Sequence, residues 1–296
     1  MTPDLTAVLA HHGLVALGEA VTLTGGADND TVRVATGHGD VVVRRYLGAD
    51  VPTVDAELDL VVFLAAQGFP TPAPFEPRLP GVAVFRLIAG AAPEEIDGAI
   101  AAQCGAVLAR LHLLTAGWDD PRVATVDRVA ILRRAITAPL TLTGAEEWRA
   151  AARDFLRQRA DGLAALAELP SGPLHHDLHR HNLLVADGTV TALLDFGELQ
   201  RGPWIVDLAR AFHYLAVDRA DFALPREAAA WMLAGYEQIR RLGAAERELL
   251  PLALDLVGLV DAADFLLGHA AGLGYGDVAA CHSWRAYLAC AGAFPL

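Results

Sequence analysis

The chain changes its hydrophobic periodicity once, near residue 91, and that change restricts the fold more than any other feature. Before it, "AVTLTGG", "TVRVAT" and "DVVVRRYLG" are short β-prone runs separated by "GADND" and "GHGD", connectors of the hairpin type. Three antiparallel strands are the simplest reading. "VPTVDAELDLVVFLAAQGFP" then has proline near its start, acids in its first turns, apolar residues at helical spacing and glycine before proline at its end. It is expected to be one helix. The proline-rich loop "PTPAPFEPRLPG" leads to a further strand, "VAVFRLIAG".

After residue 91, long Ala/Leu-rich helical patterns dominate: "EEIDGAIAAQCGAVLARLHLL", "GAEEWRAAARDFLRQRADGLAALAEL", "GPWIVDLARAFHYLAV", "REAAAWMLAGYEQIRRL" and others toward the end. Only "NLLVADG" and "VTALLDFG" interrupt them, as a small hairpin about a turn at Asp187-Gly188. No internal repeat and no low-complexity segment is present. The layout is a small β-rich lobe over residues 1–88, a hinge at residues 86–91 and a large helical lobe over residues 89–296. With 296 residues, 54% of them hydrophobic, the chain has ample material for a core.

Charge narrows the partners. A formal net charge of −13 with no concentrated basic patch disfavours nucleic acid and anionic membrane, and suits a cationic small molecule. Cys104, Cys281 and Cys290 are far apart and form neither a disulfide framework nor a thiolate zinc site; they read as buried small hydrophobes. The first residues carry an acid where a secretory signal needs basic ones, and Asp255, Asp261 and Asp264 interrupt the most apolar C-terminal stretch. The expected location is cytoplasmic.

Residues 172–185, "GPLHHDLHRHNLLV", gather four histidines around Asp177 and end in Asn182, just before the hairpin whose second strand leads into "LLDFGELQRGP". Asp177, Asp195 and the amide of Asn182 therefore emerge at neighbouring loop ends, in the larger lobe. Phosphoryl transfer needs this set: a carboxylate that orients the acceptor hydroxyl and takes its proton, with an acid and an amide oxygen to hold Mg²⁺ against nucleotide phosphates.

The pattern His175-x-Asp177-x-x-x-x-Asn182 followed by Asp195-Phe196-Gly197 resembles the catalytic and metal-binding motifs of the aminoglycoside phosphotransferase and choline/homoserine kinase-like superfamily. "GGADND" resembles that family's turn over the nucleotide phosphates, "VVVRRY" its strand bearing the phosphate-contacting base, Glu57 the acid of the following helix, "GAVLARLH" a helix common in the family, and "GPWIVDLAR" the segment after the metal site. The resemblance implies an α+β, two-lobed protein-kinase-like fold with a small antiparallel β-rich N-lobe and a mainly helical C-lobe. It implies ATP or GTP with Mg²⁺ as cofactors. By it, Asp177 would be the catalytic base, Asn182 and Asp195 the Mg²⁺ ligands, and His175 and Asp207 supports of the catalytic loop.

The sequence departs from the family at several points. Arg44 stands where a lysine is common; arginine keeps its charge and grips phosphate oxygens in a planar fork. Regular alternation puts Val42, Arg44 and Tyr46 on one face of the strand and Arg45 on the other, so one arginine alone points into the cleft. Glu57 has rivals in Asp55 and Asp59, which spacing groups on a different helix face without choosing between the two sets. "GGADND" lacks a full GxGxxG and a Walker lysine. His176 replaces a residue that is often small.

Twelve positions from Asp195 to Asp207 leave little room for a peptide-binding activation segment, which favours a small-molecule hydroxyl as acceptor. Asp261, Asp264, His269, Trp284 and Tyr287 are candidate cleft residues, with Asp261 and Asp264 placed to face a cation jointly or to form a solvated stripe. Aminoglycoside, amino alcohol and hydroxy amino acid acceptors all stay open. Two other readings stand beside the kinase: a pseudokinase that holds nucleotide without turnover, and a metallohydrolase that uses the four histidines on zinc.

Overall fold

Val41 and Val43 are buried on one face of a strand while Arg44 and Tyr46 lie partly exposed on the other, the alternation that a pleated strand imposes. This strand belongs to a computed structural model that describes residues 4–23, 29–48, 50–139, 142–218, 220–271 and 277–291. In chain order the strands are β1 (Val21–Thr22), β2 (Asn29–Val34), β3 (Val41–Tyr46), β4 (Val82–Arg86), β5 (Ser171–Leu174), β6 (Leu183–Ala186), β7 (Thr189–Leu193) and β8 (Gln200–Pro203). The helices are α1 (Leu5–His11), α2 (Val51–Ala66), α3 (Gly98–Leu114), α4 (Arg128–Thr137), α5 (Ala145–Gln158), α6 (Ala160–Ala167), α7 (Trp204–Ala211), α8 (Arg226–Ile239), α9 (Ala244–Ala270) and α10 (His282–Cys290). A π-helical turn, Phe212–Ala216, extends α7. Among the described residues no helix is long and apolar enough to cross a membrane.

The chain forms two compact units. The first takes in the described residues up to Pro93 together with Asp119–Val123 and His181–Leu199. Its sheet is antiparallel, in the order β1-β2-β3-β4. One face packs Val34, Val41, Val43, Val82 and Val84 on Val8, Leu9 and Leu14 from α1 and the turn after it, a helix that the sequence reading does not anticipate. The other face sets Ala83, Tyr46 and Phe85 against Val54 and Leu58 of α2. Asp50 caps α2 by accepting from the Thr53 N–H at 2.8 Å, and Pro52 in the first turn has no N–H to leave unpaired.

The hairpin β6-β7 turns at Asp187 and Gly188, both at positive φ (49° and 71°), as a two-residue hairpin requires. It is bound to the first unit by reciprocal backbone hydrogen bonds between Ala91 and Val185 (3.0 and 2.9 Å) and by Leu193 N–H to the Pro70 carbonyl (2.7 Å). Asn182 and Asp195 flank this hairpin and so belong to the first unit, whereas the boundary at residues 88 and 89 assigns them to the helical lobe. Long-range hydrogen bonding, invisible to periodicity, makes the difference.

The second unit comprises Glu94–Trp118, Ala124–Arg180 and the described residues from Gln200 onward. Its helices pack around α9, which meets α4, α7 and α10. Trp148 of α5 is fully buried there and donates its indole N–H to the Leu259 carbonyl at 3.0 Å. Helices α3 and α8 approach so closely at Gly105 and Gly235 that a Cβ on either would lie within about 2 Å of a carbonyl oxygen of the other helix. Strands β5 and β8 pair antiparallel, Leu174 opposite Gln200. Both carry glycine and proline, and neither reads as a strand from sequence. Their pairing matters to the site, because β5 ends at the residue before His175 and β8 runs directly into α7.

Candidate active site

In the first unit, β3, α2 and the hairpin ends line a cleft of about 560 Å³, a size suited to a small ligand. Arg44, Glu57, Asn182 and Asp195 all lie on its wall, beside the apolar Val42, Val61, Phe85 and Leu184. Arg44 Nη2 donates to Asp195 Oδ1 at 2.6 Å, and its Nη1 is 3.9 Å from Glu57 Oε1. Tyr46 donates its hydroxyl to the same Glu57 oxygen at 3.2 Å and carries the Arg44 guanidinium 4.9 Å above its ring. Of the three acids at the start of α2, the structure thus brings Glu57 to Arg44. Asp59 instead pairs with Arg78 and Arg122.

Burial pushes the Glu57 carboxyl up to about 7, with Arg44 pulling it back and Asp195 adding to the rise. Burial also opposes the charge on Arg44, yet Asp195, Tyr46 and Glu57 outweigh it and raise its pKa. The glycine-rich turn read as "GGADND" lies largely outside the described residues.

The Leu194 N–H donates to the Asn182 carbonyl at 2.8 Å, which sets Asn182 and Asp195 at one end of the hairpin. Asp195 adopts φ 61°, and its Oδ1 also accepts from the Gly197 N–H at 3.2 Å. A carboxylate and an amide oxygen are hard donors. They fit Mg²⁺, which binds to one or two protein oxygens and takes the rest from phosphates and water.

The second unit holds the loop after β5. His175 and His176 donate their backbone N–H groups to Asp207 Oδ2 and Oδ1, both at 2.8 Å, and His112 Nε2 lies 3.1 Å from Oδ2. Burial would raise the Asp207 carboxyl; His112, His175 and the backbone N–H outweigh it and hold it below the usual range. Tyr236 continues this buried network, its hydroxyl 2.7 Å from His112 Nδ1, and Arg240 joins it to Glu246. Asp207 therefore supports the loop through backbone donors, and His112, 95 residues away, is a supporting residue that sequence reading missed.

The His175 ring accepts from the Asp177 N–H at 3.2 Å. His176 takes φ 58°, uncommon for a side chain of its size, and buries its ring against Arg128, whose Nη2 is 3.5 Å from Nδ1 and donates to Gln200 Oε1 at 2.7 Å. Burial, reinforced by Arg210 and Arg128, keeps His176 neutral. It also brings Arg128 down to about 10.

Asp177 is the loop's partly exposed carboxylate. His179 Nε2 stands 3.3 Å from Oδ2 and Arg210 Nη2 4.0 Å from Oδ1. Burial favours its neutral form, but His179, Arg210 and His175 outweigh it and lower its pKa. At neutral pH the carboxylate is therefore ionised, the form that can accept a hydrogen bond from a hydroxyl.

The acidic pair proposed for the acceptor is separated by the structure. The Asp261 side chain is nearly covered and engaged by Arg210, the Tyr214 hydroxyl (3.1 Å) and Ser283, whereas Asp264 one turn on is exposed. Joint capture of a cation is therefore not what this pair is arranged to do. Trp284 is a core residue, stacked on Tyr287. The histidines diverge as well: among the described residues no group of three or more His, Cys, Asp and Glu side chains is arranged to hold a metal ion. The zinc reading has no ligand cluster there.

The model of the phosphotransferase enzyme family matches residues 19–242. The chain belongs to the phosphotransferase enzyme family. Among curated relatives, homoserine kinase of Burkholderia ambifaria (strain MC40-6) is 30% identical over 268 residues, covering 82% of this chain and 79% of that protein. Homoserine kinase of Gluconobacter oxydans (strain 621H) is 26% identical over 270 residues, covering 84% and 79%. Among solved structures, an amicoumacin kinase in complex with AMP-PNP and Ca²⁺ superimposes with a TM-score of 0.68 at 17% identity, covering 90% of this chain and 87% of that one. The microcompartment-associated aminopropanol kinase gives 0.65 at 22% identity and 98% of both chains. These likenesses establish the two-lobed α+β fold expected from the sequence. Membership of the phosphotransferase family carries nucleotide use with it.

Proposed function

We infer that this phosphotransferase moves the γ-phosphoryl group of ATP to the hydroxyl of a small hydroxy amino acid, with homoserine the first acceptor to test. The observation that carries the reaction class is the placing of Arg44, Asn182 and Asp195 on the wall of one ligand-sized cleft. The acceptor class is supported by the homoserine kinases among the relatives.

In this reading Arg44 holds phosphate oxygens, and Asp177 orients the acceptor hydroxyl and receives its proton as the new phosphorus–oxygen bond forms and the bond from the γ-phosphorus to the bridging oxygen breaks, releasing ADP. Asn182 and Asp195 would hold Mg²⁺, which when bound neutralises charge on the phosphates. Asp207 keeps the loop backbone in place. A reaction drawing on ATP and Mg²⁺ belongs in the cytoplasm.

One observation favours a second reading. Arg44 is bonded to Asp195 more closely than to Glu57, so the arginine occupies the carboxylate assigned to the metal, as it would in a pseudokinase. Mass-spectrometric detection of a phosphorylated acceptor from a panel of hydroxy amino acids, amino alcohols and aminoglycosides decides between the two. Product from homoserine or a close analogue supports the kinase. Saturable nucleotide binding with no product across the panel favours the pseudokinase.

A further inference from the structure

We propose that Arg210 is a positioning residue for Asp177, itself fixed by Asp261, Tyr214 and Ser283, so that Asp261 acts on the reaction through Arg210 and not by touching the acceptor. The proposal rests on the kinase reading of Asp177 and adds residues to it.

Arg210 lies between two carboxylates. Its Nη1 is bound by Asp261 Oδ1, its Nη2 stands 4.0 Å from Asp177 Oδ1, and its guanidinium sits 5.0 Å from the centre of the Tyr214 ring. Tyr214 also donates to Asp261 at 3.1 Å, and Ser283 at the start of α10 supplies a further hydroxyl to the same oxygen. Three donors from α7, the π-turn after it and α10 thus converge on one carboxylate of α9. That carboxylate is 6% exposed, which leaves little of it for an acceptor.

A buried ion pair of this kind adds little stability relative to a well-packed apolar pair; its use is to fix geometry. Here the geometry fixed is that of the arginine facing Asp177. Asp207 and Arg210 are also one turn apart on α7, on neighbouring positions of the same helix face. Asp207 holds the loop backbone at His175 and His176, and Arg210 addresses the carboxylate at Asp177. One helix therefore sets both the path of the loop and the direction of its acid. His179, the other side chain beside the Asp177 carboxylate, is more exposed and belongs to the loop itself, whereas Arg210 comes from a helix and is a contact from the body of the unit.

The test is a double-mutant cycle with kcat and acceptor KM measured separately for Arg210→Gln, Asp261→Asn and the double variant, beside Ser283→Ala as a mild perturbation. Thermal melting and nucleotide affinity control for folding. Each single substitution at Arg210 or Asp261 is expected to lower kcat on the order of 10- to 100-fold with acceptor KM nearly constant. Asp261→Asn is expected to have no further effect once Arg210 is Gln. Ser283→Ala should move kcat the same way by less, and Arg210→Lys should recover part of the loss. A readout independent of turnover is the carboxylate titration of Asp177 by ¹³C NMR, assigned with Asp177→Asn: it should move to higher pH in Arg210→Gln. The proposal is overturned if Asp261→Asn raises acceptor KM at unchanged kcat, if its effect multiplies with that of Arg210→Gln, or if the Asp177 titration is the same in Arg210→Gln. Absence of turnover in the wild type would instead count against the kinase reading, and the titration would still decide the role of Arg210.

Discussion

Arg44 donates to Asp195 at 2.6 Å while standing 3.9 Å from Glu57, so the cleft's one inward arginine of β3 is shared unequally between the acid of α2 and the acid after the hairpin. The strand alternation that aims Arg44 inward also brings Tyr46 onto Glu57. Two consequences follow for pH and for metal.

Glu57 has a folded pKa near 7, above its unfolded value of about 4.5, so the folded state binds the extra proton between these limits. A carboxyl raised in this way helps the fold fully below the lower value and loses that contribution as pH rises through the upper one. Glu57→Gln, which stays neutral, is therefore expected to gain on the wild type in unfolding free energy as pH goes from 5 to 8, by at most roughly 2–3 kcal/mol, and in melting temperature accordingly. Thermal denaturation of both proteins across that range checks it; parallel curves would remove the buried-charge account of Glu57.

Asp195→Asn takes away the carboxylate that holds Arg44 and the anionic ligand proposed for Mg²⁺. Nucleotide affinity without metal should persist or rise, since Arg44 is released toward phosphate. The enhancement of affinity by Mg²⁺ should be largely lost. Calorimetric titration of nucleotide with and without Mg²⁺ measures both, and an unchanged metal effect would place the metal elsewhere.

Asp207→Asn replaces a carboxylate that accepts two backbone N–H groups with an amide that can oppose only one of them. Leaving a buried donor unpaired costs about 1–3 kcal/mol. The melting temperature should fall, and kcat should fall with it as His175 and His176 lose their hold. A stable variant with wild-type kcat would show that the loop keeps its shape without this anchor.

Gly105→Ala tests the packing that builds the second unit. Its Cβ would meet the Met232 carbonyl oxygen at 2.0 Å, so α3 and α8 must move apart. Overpacking of this kind costs about 1–3 kcal/mol or more. Chemical denaturation should show a lower midpoint, whereas Gly188→Ala at the exposed hairpin turn should show a smaller loss.

What could be read from the sequence is what depends on near neighbours along the chain. The Asp187-Gly188 turn and the placing of Arg44 and Arg45 on opposite strand faces follow from geometry over a few residues, and the structure has both as read; the choice of Arg44 as the inward one comes from the family resemblance. α1 is not legible because its seven residues carry only a weak period, and β5 and β8 are masked by their glycine and proline. The run through residues 145–167 reads as one helix but breaks at Arg159 into α5 and α6. Asp261 and Asp264 are close by helical spacing, yet the Asp261 side chain is nearly covered because Arg210, Tyr214 and Ser283 approach it from elsewhere in the chain. The i,i+3 spacing of Asp207 and Arg210 on α7 is a usable signal for Arg210. No local pattern announces His112 as a partner of Asp207.

Magnesium-dependent ATP consumption, stimulated by homoserine and close analogues and compared between wild type and Asp177→Ala, tests the kinase reading most directly. Acceptor-dependent turnover in the wild type, reduced about 10²- to 10⁴-fold in Asp177→Ala with nucleotide affinity retained, is the expected result. Equal turnover in the two proteins, or a wild type that binds no nucleotide, would contradict it.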